Sequence, residues 1–366
     1  MGGGPQPNPG GLAPVIDDLS IFLAAGRIKD PSVALSQGEQ AERLGLRRVW
    51  LSERYDLKEA GAMLGGVAAR TSRLGVGTAV VATGSRHPLM TAALGATMQA
   101  MYGGRFVLGL GRSAAVYLRG QSMREATYAA FADYIDIVRR LWRGEVVSYD
   151  GPAGSFEQLK TVDPIPGEPP PIWSVIVGGP KGCRTAARVA DGVMLQPFGT
   201  PDATRKAVTW IREERQRLGL DPNIHICQPV VAAPEMDTEQ TVALTKARLV
   251  TYVQMKVWSD PYVLYNGWDN RVMQAVRDHP RFADLERANA DQVFHRSELM
   301  APAQLIPDEW IEESSAVGSI DQCVRTLRRF KDAGADEIAL YGSNPADNEK
   351  LIAAWRAHRA AEDLAP

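Results

Sequence analysis

Cysteine is scarce in this sequence: Cys183, Cys227 and Cys323 stand far apart, and no C-x-x-C pair occurs. Such spacing signals neither a zinc site nor a disulfide framework. The five histidines also form no cluster with metal-ligand spacing, which argues against a metal site. We therefore expect the cysteines to be small buried residues of a protein in a reducing, cytoplasmic compartment.

A strong charge of one sign and long apolar runs are missing as well. The net charge is −2, so no broad basic surface indicates nucleic acid or an anionic membrane as a partner. No apolar run approaches the roughly 20 residues of a membrane span, and the Gly/Pro-rich start MGGGPQPNPGG has no signal-peptide core. We expect residues 1–14 to be a disordered arm, followed by one domain over residues 15–366.

Strand-like and helix-like segments alternate along the rest of the chain. Continuous apolar runs are typical of parallel strands that are buried on both faces. The predicted strands are residues 19–26, 47–53, 74–82, 105–111, 171–179, 191–197, 223–233 and 336–343. Each is followed by a helical segment, which predicts an α/β fold of the (β/α)8 TIM-barrel type. A doubly wound sheet is the alternative, but it would usually split this length into two domains, and no linker is present.

Two stretches of the sequence are longer than the connections of a (β/α)8 barrel without insertions. Residues of about 145–170 contain Gly, Pro and short β-prone pieces, which predict a hairpin and loop. Residues of about 235–317 predict a mostly helical insertion between the seventh strand and the helix that follows it. The aromatic residues of this insertion either line a substrate pocket or pack an extra helical layer; they are Trp258, Tyr262, Tyr265 and Trp268.

The stretch RFVLGLGRSA contains a G-x-G-x-x-A pattern formed by Gly109, Gly111 and Ala114. A dinucleotide-binding fingerprint should lie in the first β-α-β unit, with a carboxylate about 20 residues further on. Here three β/α units precede the glycines, and no clear strand with an acid follows. We interpret Gly109 and Gly111 instead as the end of a barrel strand, where a flat ligand or a neighbouring backbone approaches closely.

The segment VIVGGPKG joins the fifth strand to a helix. Gly178 and Gly179 leave backbone N–H groups accessible, Pro180 opens the helix, and Lys181 adds a positive charge. A helix N-terminus also carries partial positive charge. This segment is therefore a candidate seat for an anionic cofactor, with an ordinary βα turn as the alternative. Gln196, at the end of the sixth strand, is a further candidate for cofactor contact.

Glu53 and Arg54 end the second predicted strand. Catalytic residues of (β/α)8 barrels emerge at the C-terminal ends of the strands. We therefore treat both residues as candidates for the catalytic site. A structural salt bridge between Glu53 and another basic group is the alternative.

Four blocks of sequence carry further information: GEQAERLGLRRVWLSER, LGVGTAVVATGSRHPLMTAALGATMQAMYGGRFVLGLGRS, PIWSVIVGGPKGCRTAARVADGVML and VGSIDQCVRTLRRFKDAGADEIALY. In order and spacing they resemble the bacterial luciferase-like flavin or deazaflavin oxidoreductases. They are most similar to the actinobacterial branch that uses coenzyme F420, a deazaflavin. The resemblance implies a (β/α)8 barrel that holds its cofactor across the C-terminal strand ends, and it also implies a homodimer.

The resemblance implies roles for single residues as well. In similar proteins a bulge at the position of Thr78 and Ala79, often with a non-proline cis peptide, supports the central ring of the cofactor. Many relatives have histidine where this chain has Arg54 after Glu53, and some sugar-phosphate dehydrogenases carry a glutamate near the position of Ala114. Arginine stays charged and cannot shuttle a proton near neutral pH.

These departures from the family disfavour sugar-phosphate oxidation. Reduction of an enone, imine or similar small organic acceptor fits better, with the proton supplied by Tyr117, Tyr55 or Glu53. The leading hypothesis is thus hydride transfer between coenzyme F420 and a small organic substrate. An FMN-dependent monooxygenase is the first alternative, and a non-catalytic deazaflavin carrier is the second.

Overall fold

The computed structural model describes residues 11–55, 57–112, 115–163, 165, 167–285 and 289–363. Its β-strands form one large parallel sheet and one hairpin. The strands are β1 Leu19–Phe22, β2 Arg48–Leu51, β3 Gly75–Thr78, β4 Val81–Ala82, β5 Phe106–Gly111, β6 Val147–Gly151, β7 Gly154–Leu159, β8 Ile172–Val175, β9 Gly192–Met194, β10 His225–Pro234, β11 Ser315–Gly318 and β12 Glu337–Tyr341.

The large sheet closes into a parallel eight-stranded barrel, which confirms the predicted fold. Around the ring the order is β1, β2, β3, β5, β8, β9, β10 and β12, and β12 pairs with β1. Leu19 lies opposite Ile338 at this closure, and His225 lies opposite Gly192 between β10 and β9. The apolar strand runs are buried between the barrel interior and the outer helices, as continuous hydrophobic strands require.

Helices connect successive strands and cover the barrel. The α-helices are α1 Val33–Arg43, α2 Ala60–Arg70, α3 Pro88–Tyr102, α4 Ala115–Gly120, α5 Tyr128–Trp142, α6 Pro180–Val189, α7 Pro201–Arg217, α8 Thr238–Leu244, α9 Lys246–Val253, α10 Lys256–Asn266, α11 Asn270–Arg277, α12 Ala290–Val293, α13 Met300–Ala303, α14 Asp308–Ser314, α15 Ile320–Asp332 and α16 Glu349–Asp363. Local signals set their ends: Ser319 and Gln322 form a capping box before α15, and Gly103 ends α3 in a left-handed conformation. None of the helices in the described ranges is long and apolar enough to span a membrane.

The third barrel strand is interrupted, whereas the sequence predicts one strand over residues 74–82. It splits into β3 and β4, and the peptide bond between Ala79 and Val80 is cis. Both pieces pair with β5. The irregularity expected at Thr78 and Ala79 therefore falls one bond further along the chain.

The two stretches predicted as insertions both contain elements of their own. Strands β6 and β7 form an antiparallel hairpin within residues 145–170. Helices α8 to α14 fill the second insertion, but its end departs from the prediction, because Ser315–Gly318 forms β11 and pairs with β10. At the start of the chain, residues 1–10 of the predicted arm lie outside the described residues. Ala13 already donates a hydrogen bond to the Arg43 carbonyl at 3.0 Å.

Two tryptophans fill the part of the barrel interior that lies away from the C-terminal strand ends. The Trp50 and Trp173 rings lie 5.1 Å apart, and the Arg48 guanidinium packs on both. Glycines on neighbouring strands make room: a Cβ on Gly77 would lie 2.4 Å from the Trp50 ring, and one on Gly192 would lie 2.3 Å from Trp173. Arg48 and Gly192 are the first residues of their strands, and Trp50 and Gly77 are the third of four, so the two rings fill the barrel interior below the C-terminal strand ends.

A buried charge cluster lies below the tryptophans. Glu337 is fully buried, and its carboxylate stands 3.4 Å from Arg48 Nε and 3.1 Å from His225 Nε2. Burial alone would raise the pKa of Glu337, but the His225 contact and the Arg48 charge lower it below its ordinary value. The cysteines are buried and unbridged, as the sequence predicts.

Candidate active site

A cavity of about 520 Å³ lies at the C-terminal end of the barrel. Every barrel strand, or the loop that follows it, contributes to its wall: Phe22, Ser52, Ala79, Gly111, Val175, Met194, Pro229 and Tyr341. The helical insertion forms the remaining wall with Arg248, Tyr252, Val257, Trp258 and Asp291. Active sites of (β/α)8 barrels occupy this end, and the size suits a cofactor with a small substrate.

The cis peptide between Ala79 and Val80 lies in the cavity wall. Two hydrogen bonds fix it: Ala79 N–H donates to the Leu51 carbonyl at 2.7 Å, and the Ser52 hydroxyl donates to the Ala79 carbonyl at 2.8 Å. The peptide is thus held against the end of β2 as part of the cavity surface.

Thr78 and Gly109 lie beneath this surface and not in the cavity wall. The Thr78 hydroxyl donates to the Gly109 carbonyl at 2.7 Å and accepts from the Gly109 N–H at 2.8 Å. A Cβ on Gly109 would lie 1.8 Å from the Thr78 carbonyl oxygen. Gly109 therefore admits a neighbouring backbone, which is one of the two uses that the sequence predicts for it.

Gly111 and Ser174 line the cavity next to the cis peptide. A Cβ on Gly111 would lie 2.7 Å from Val80 Cγ2 and 3.2 Å from the Val175 carbonyl oxygen, so a side chain would crowd this wall. The Ser174 side chain is 1% exposed, and its hydroxyl has no hydrogen-bond partner among the described residues. A buried polar group without a partner is costly, so Ser174 indicates a ligand contact.

The loop between β8 and α6 has the conformation that its glycines allow. Gly178 and Gly179 have φ angles of +83° and +86°. Gly178 lines the cavity, while a Cβ on Gly179 would lie 2.6 Å from the Tyr265 hydroxyl. Gly179 and Pro180 begin α6, and no side chain caps this N-terminus. Its first N–H groups are therefore available to an anion.

Two cations share one aromatic ring beside this loop. The Arg112 guanidinium carbon lies 3.8 Å from the centre of the Tyr128 ring, and Lys181 Nζ lies 5.2 Å from it. Arg112 and Tyr128 line the cavity, whereas Lys181 is exposed and outside its wall. Arg112 follows Gly111 directly, but it is not among the residues predicted for the site. Gln196 lines the cavity on the next strand, and its carbonyl accepts from Gln228 Nε2 at 2.9 Å.

Glu53 lines the cavity and is engaged in an ion pair. Its carboxylate accepts a hydrogen bond from Arg86 Nη2 at 2.5 Å and another from the Ala60 N–H at 3.2 Å. Arg86 also pairs with Glu59. Burial disfavours the charged Arg86 side chain, but the two carboxylates outweigh this cost and raise the pKa of Arg86. This is the salt bridge that the sequence leaves open as the alternative for Glu53.

Arg54 connects the barrel to the helical insertion. Its Nη1 pairs with the Asp291 carboxylate, and its Nη2 donates to the Asp291 carbonyl at 3.2 Å. Both residues line the cavity. The pair joins the end of β2 to α12 across 237 positions of sequence, so its partner could not be read from local spacing.

A polar aromatic group lies where the insertion meets β12. The Tyr252 hydroxyl donates to the Tyr341 hydroxyl at 3.2 Å, and the Arg248 guanidinium packs 4.6 Å from the centre of the Tyr341 ring. All three residues line the cavity. Burial and the neighbouring Tyr341 raise the pKa of Tyr252 well above its ordinary value, so its hydroxyl stays protonated. This group could not be found from the sequence, because Tyr252 and Tyr341 are 89 positions apart and Arg248 lies within a helical segment.

The insertion's aromatic residues divide between the two predicted roles. Trp258 lines the cavity. Tyr262 and Trp268 are buried in a separate core, where Trp268 stacks on Trp310 with ring centres 4.5 Å apart. Tyr265 packs on Trp210.

Six of the predicted site residues meet in the cavity wall: Glu53, Arg54, Ala79, Gly111, Gly178 and Gln196. Tyr55, which with Tyr117 and Glu53 is a predicted candidate for the proton donor, also lines it. Tyr117 belongs to α4, but its side chain lies outside what the structure describes. Within the described ranges, no group of three or more His, Cys, Asp or Glu residues is placed to hold a metal ion.

Fold and cavity together define a (β/α)8-barrel protein with a ligand site at its C-terminal rim. A family model described as "Luciferase-like monooxygenase" matches residues 19–337. The chain therefore belongs to the luciferase-like monooxygenase family, which confirms the resemblance seen in the sequence.

Individual relatives agree with this assignment. An F420-dependent glucose-6-phosphate dehydrogenase of Amycolatopsis mediterranei is 30% identical over 94% of this chain and 97% of that protein. One from Microbacterium testaceum is 33% identical, but the match covers 50% of this chain and 57% of that protein. The coenzyme F420-dependent tetrahydromethanopterin reductase of Methanopyrus kandleri shares the fold with a TM-score of 0.77 at 19% identity, over 94% of this chain and 99% of that one.

Proposed function

We propose that this protein is an oxidoreductase that transfers hydride between coenzyme F420 and a small organic substrate. The observation that carries the proposal is the part of the cavity wall formed by the Ala79–Val80 peptide, Gly111 and Gly178, where the two glycines carry no side chain. The F420-dependent relatives support the choice of cofactor.

The residues present fit a deazaflavin. A ring system can approach the backbone closely at the two glycines, and the unpartnered Ser174 hydroxyl offers it a hydrogen bond. The N-terminus of α6 with Gly178 and Gly179, together with Arg112, Lys181 and Gln196, would hold the anionic tail. When bound, the deazaflavin supplies the hydride chemistry.

The reaction that we propose is reduction of an enone, imine or similar acceptor. Arg54 stands where many relatives have histidine and is paired with Asp291, while Glu53 is paired with Arg86. Neither arrangement suits a group that must accept a proton from a sugar hydroxyl. An acceptor needs one proton after hydride arrives, and Tyr55 in the cavity wall is our candidate donor.

A titration with both cofactors tests the proposal. We expect F420 to bind with saturation of its absorbance change and FMN to bind much more weakly. Reduced F420 mixed with enones, imines and quinones should then be oxidised by at least one of them. FMN binding with NADH-dependent oxygen uptake, and no F420 binding, would identify a monooxygenase instead. F420 binding without turnover across the panel would identify a carrier.

A further inference from the structure

The cavity has two unlike halves on opposite sides of the barrel. In the ring order, β12 stands four strands from β5, and β1 stands four strands from β8. The wall that fits the deazaflavin lies at β3, β5 and β8. Opposite it, Tyr341 ends β12 and Phe22 ends β1, with their rings 4.8 Å apart. Helix α9 covers this side with Arg248 and Tyr252.

Arg248 is a buried cation without a neighbouring carboxylate among the described residues. The residue is 4% exposed, and no carboxylate lies within ion-pair distance among the residues that the structure describes. Its Nε donates to the Leu244 carbonyl at 3.3 Å, and its Nη2 donates to the Gly342 carbonyl at 3.4 Å. Both distances are long for hydrogen bonds. A guanidinium has five N–H donors, so this one retains donors for a ligand.

We infer that Arg248, with the hydroxyls of Tyr252 and Tyr341, binds a carboxylate group of the substrate. The inference rests on the proposed function, because it assigns a substrate class to the same cavity. A planar guanidinium matches a carboxylate with two parallel hydrogen bonds, and the tyrosine hydroxyls supply further donors. The aromatic and aliphatic wall of Phe22, Val257 and Trp258 suits the apolar body of such an acid.

Matched acids and amides of equal shape test the inference. Benzoate with benzamide, and cinnamate with cinnamamide, are titrated calorimetrically into the whole protein with and without F420. We expect at least one acid to bind tenfold or more tightly than its amide. In Arg248→Met this preference should disappear through weaker acid binding, while Arg248→Lys and Tyr252→Phe should retain part of it. Arg281→Met, on the same insertion but paired with Glu298 at the surface, should leave the preference unchanged.

The outcomes separate this inference from the proposed function. Equal binding of acids and amides to the unaltered protein, or an equal loss of both in Arg248→Met, would overturn the carboxylate site. F420 affinity, followed by absorbance in the same variants, reports on the cofactor half independently. A carboxylate preference without F420 binding would contradict the proposed function and leave the anion site standing.

Discussion

Thr78 and Gly109 touch through their backbones: the space for a Cβ on Gly109 is taken by the Thr78 carbonyl oxygen, 1.8 Å away. The Thr78 hydroxyl bridges the same two strands with hydrogen bonds in both directions. This contact fixes Thr78 against β5 directly before the Ala79–Val80 peptide, which lines the cavity.

Replacing Gly109 by alanine should therefore destabilise the protein. Overpacking a rigid core costs about 1–3 kcal/mol, and the obstacle here is backbone, which cannot rotate away. We expect a lower thermal midpoint and weaker F420 binding for Gly109→Ala. Gly120→Ala is the matched control, because nothing lies within 4 Å of its Cβ position. Equal midpoints for the two variants would contradict the close approach.

The Ser174 hydroxyl should matter to the cofactor more than to the fold. Removing a buried hydroxyl that has no partner is neutral or stabilising for the free protein, whereas a lost hydrogen bond costs about 0.5–1.5 kcal/mol. We expect Ser174→Ala to keep or raise the thermal midpoint and to weaken F420 binding about three- to tenfold. An unchanged dissociation constant would show that the hydroxyl makes no contact with F420.

A negative charge introduced at the start of α6 should weaken the binding of an anionic cofactor tail. We expect Gly179→Asp to weaken F420 binding tenfold or more, about 1.4 kcal/mol. Gly179→Ala is the necessary control, since any side chain there meets the positive φ angle and Tyr265. The charge effect is the difference between the two variants, and it should shrink as salt is added. Equal affinities of both variants at low salt would remove this loop from the anion seat.

Because of Glu337, the free energy of unfolding should decrease at acid pH. Its pKa is lowered in the folded protein from the ordinary value of 4.5, so its contribution is present above pH 4.5 and is lost as pH falls through the folded pKa. Glu337→Gln leaves Arg48 buried without its carboxylate, which should cost about 3–5 kcal/mol at pH 7.

Urea unfolding at pH 7 and below pH 4.5 measures this effect. The difference in unfolding free energy between the unaltered protein and Glu337→Gln should narrow as the pH falls. Glu157→Gln, at an exposed position of β7, should show no such difference. A gap that stays constant with pH would mean that the Glu337 charge does not contribute to stability.

The barrel could be predicted from the sequence because its evidence is local. Each buried parallel strand leaves its own apolar run, and each helix leaves a periodic pattern with capping residues. The break at Ala79 and Val80 left no local trace in the apolar run LGVGTAVVA, and only the resemblance to the family indicated an irregularity nearby. Strand β11 was missed because its sequence, SAVG, lacks the longer apolar run that marks the predicted barrel strands.

Site residues that stand at the ends of predicted strands could be predicted from the sequence. Site residues whose role depends on a partner far away in the sequence could not. Gly111, Gly178 and Gln196 stand at the ends of apolar runs, and all line the cavity. Sequence alone gave no sign that Arg54 meets Asp291, or that Arg248 packs on Tyr341, because these contacts exist only after the insertion folds onto the barrel.

The two tryptophans in the barrel interior also limit the space that ligands can occupy. Trp50 and Trp173 are buried side by side in the barrel interior, and neither lines the cavity. A cofactor and a substrate that bind together therefore share the space above these two rings. The tryptophan pair thus acts as a floor that keeps the two reactants close to each other.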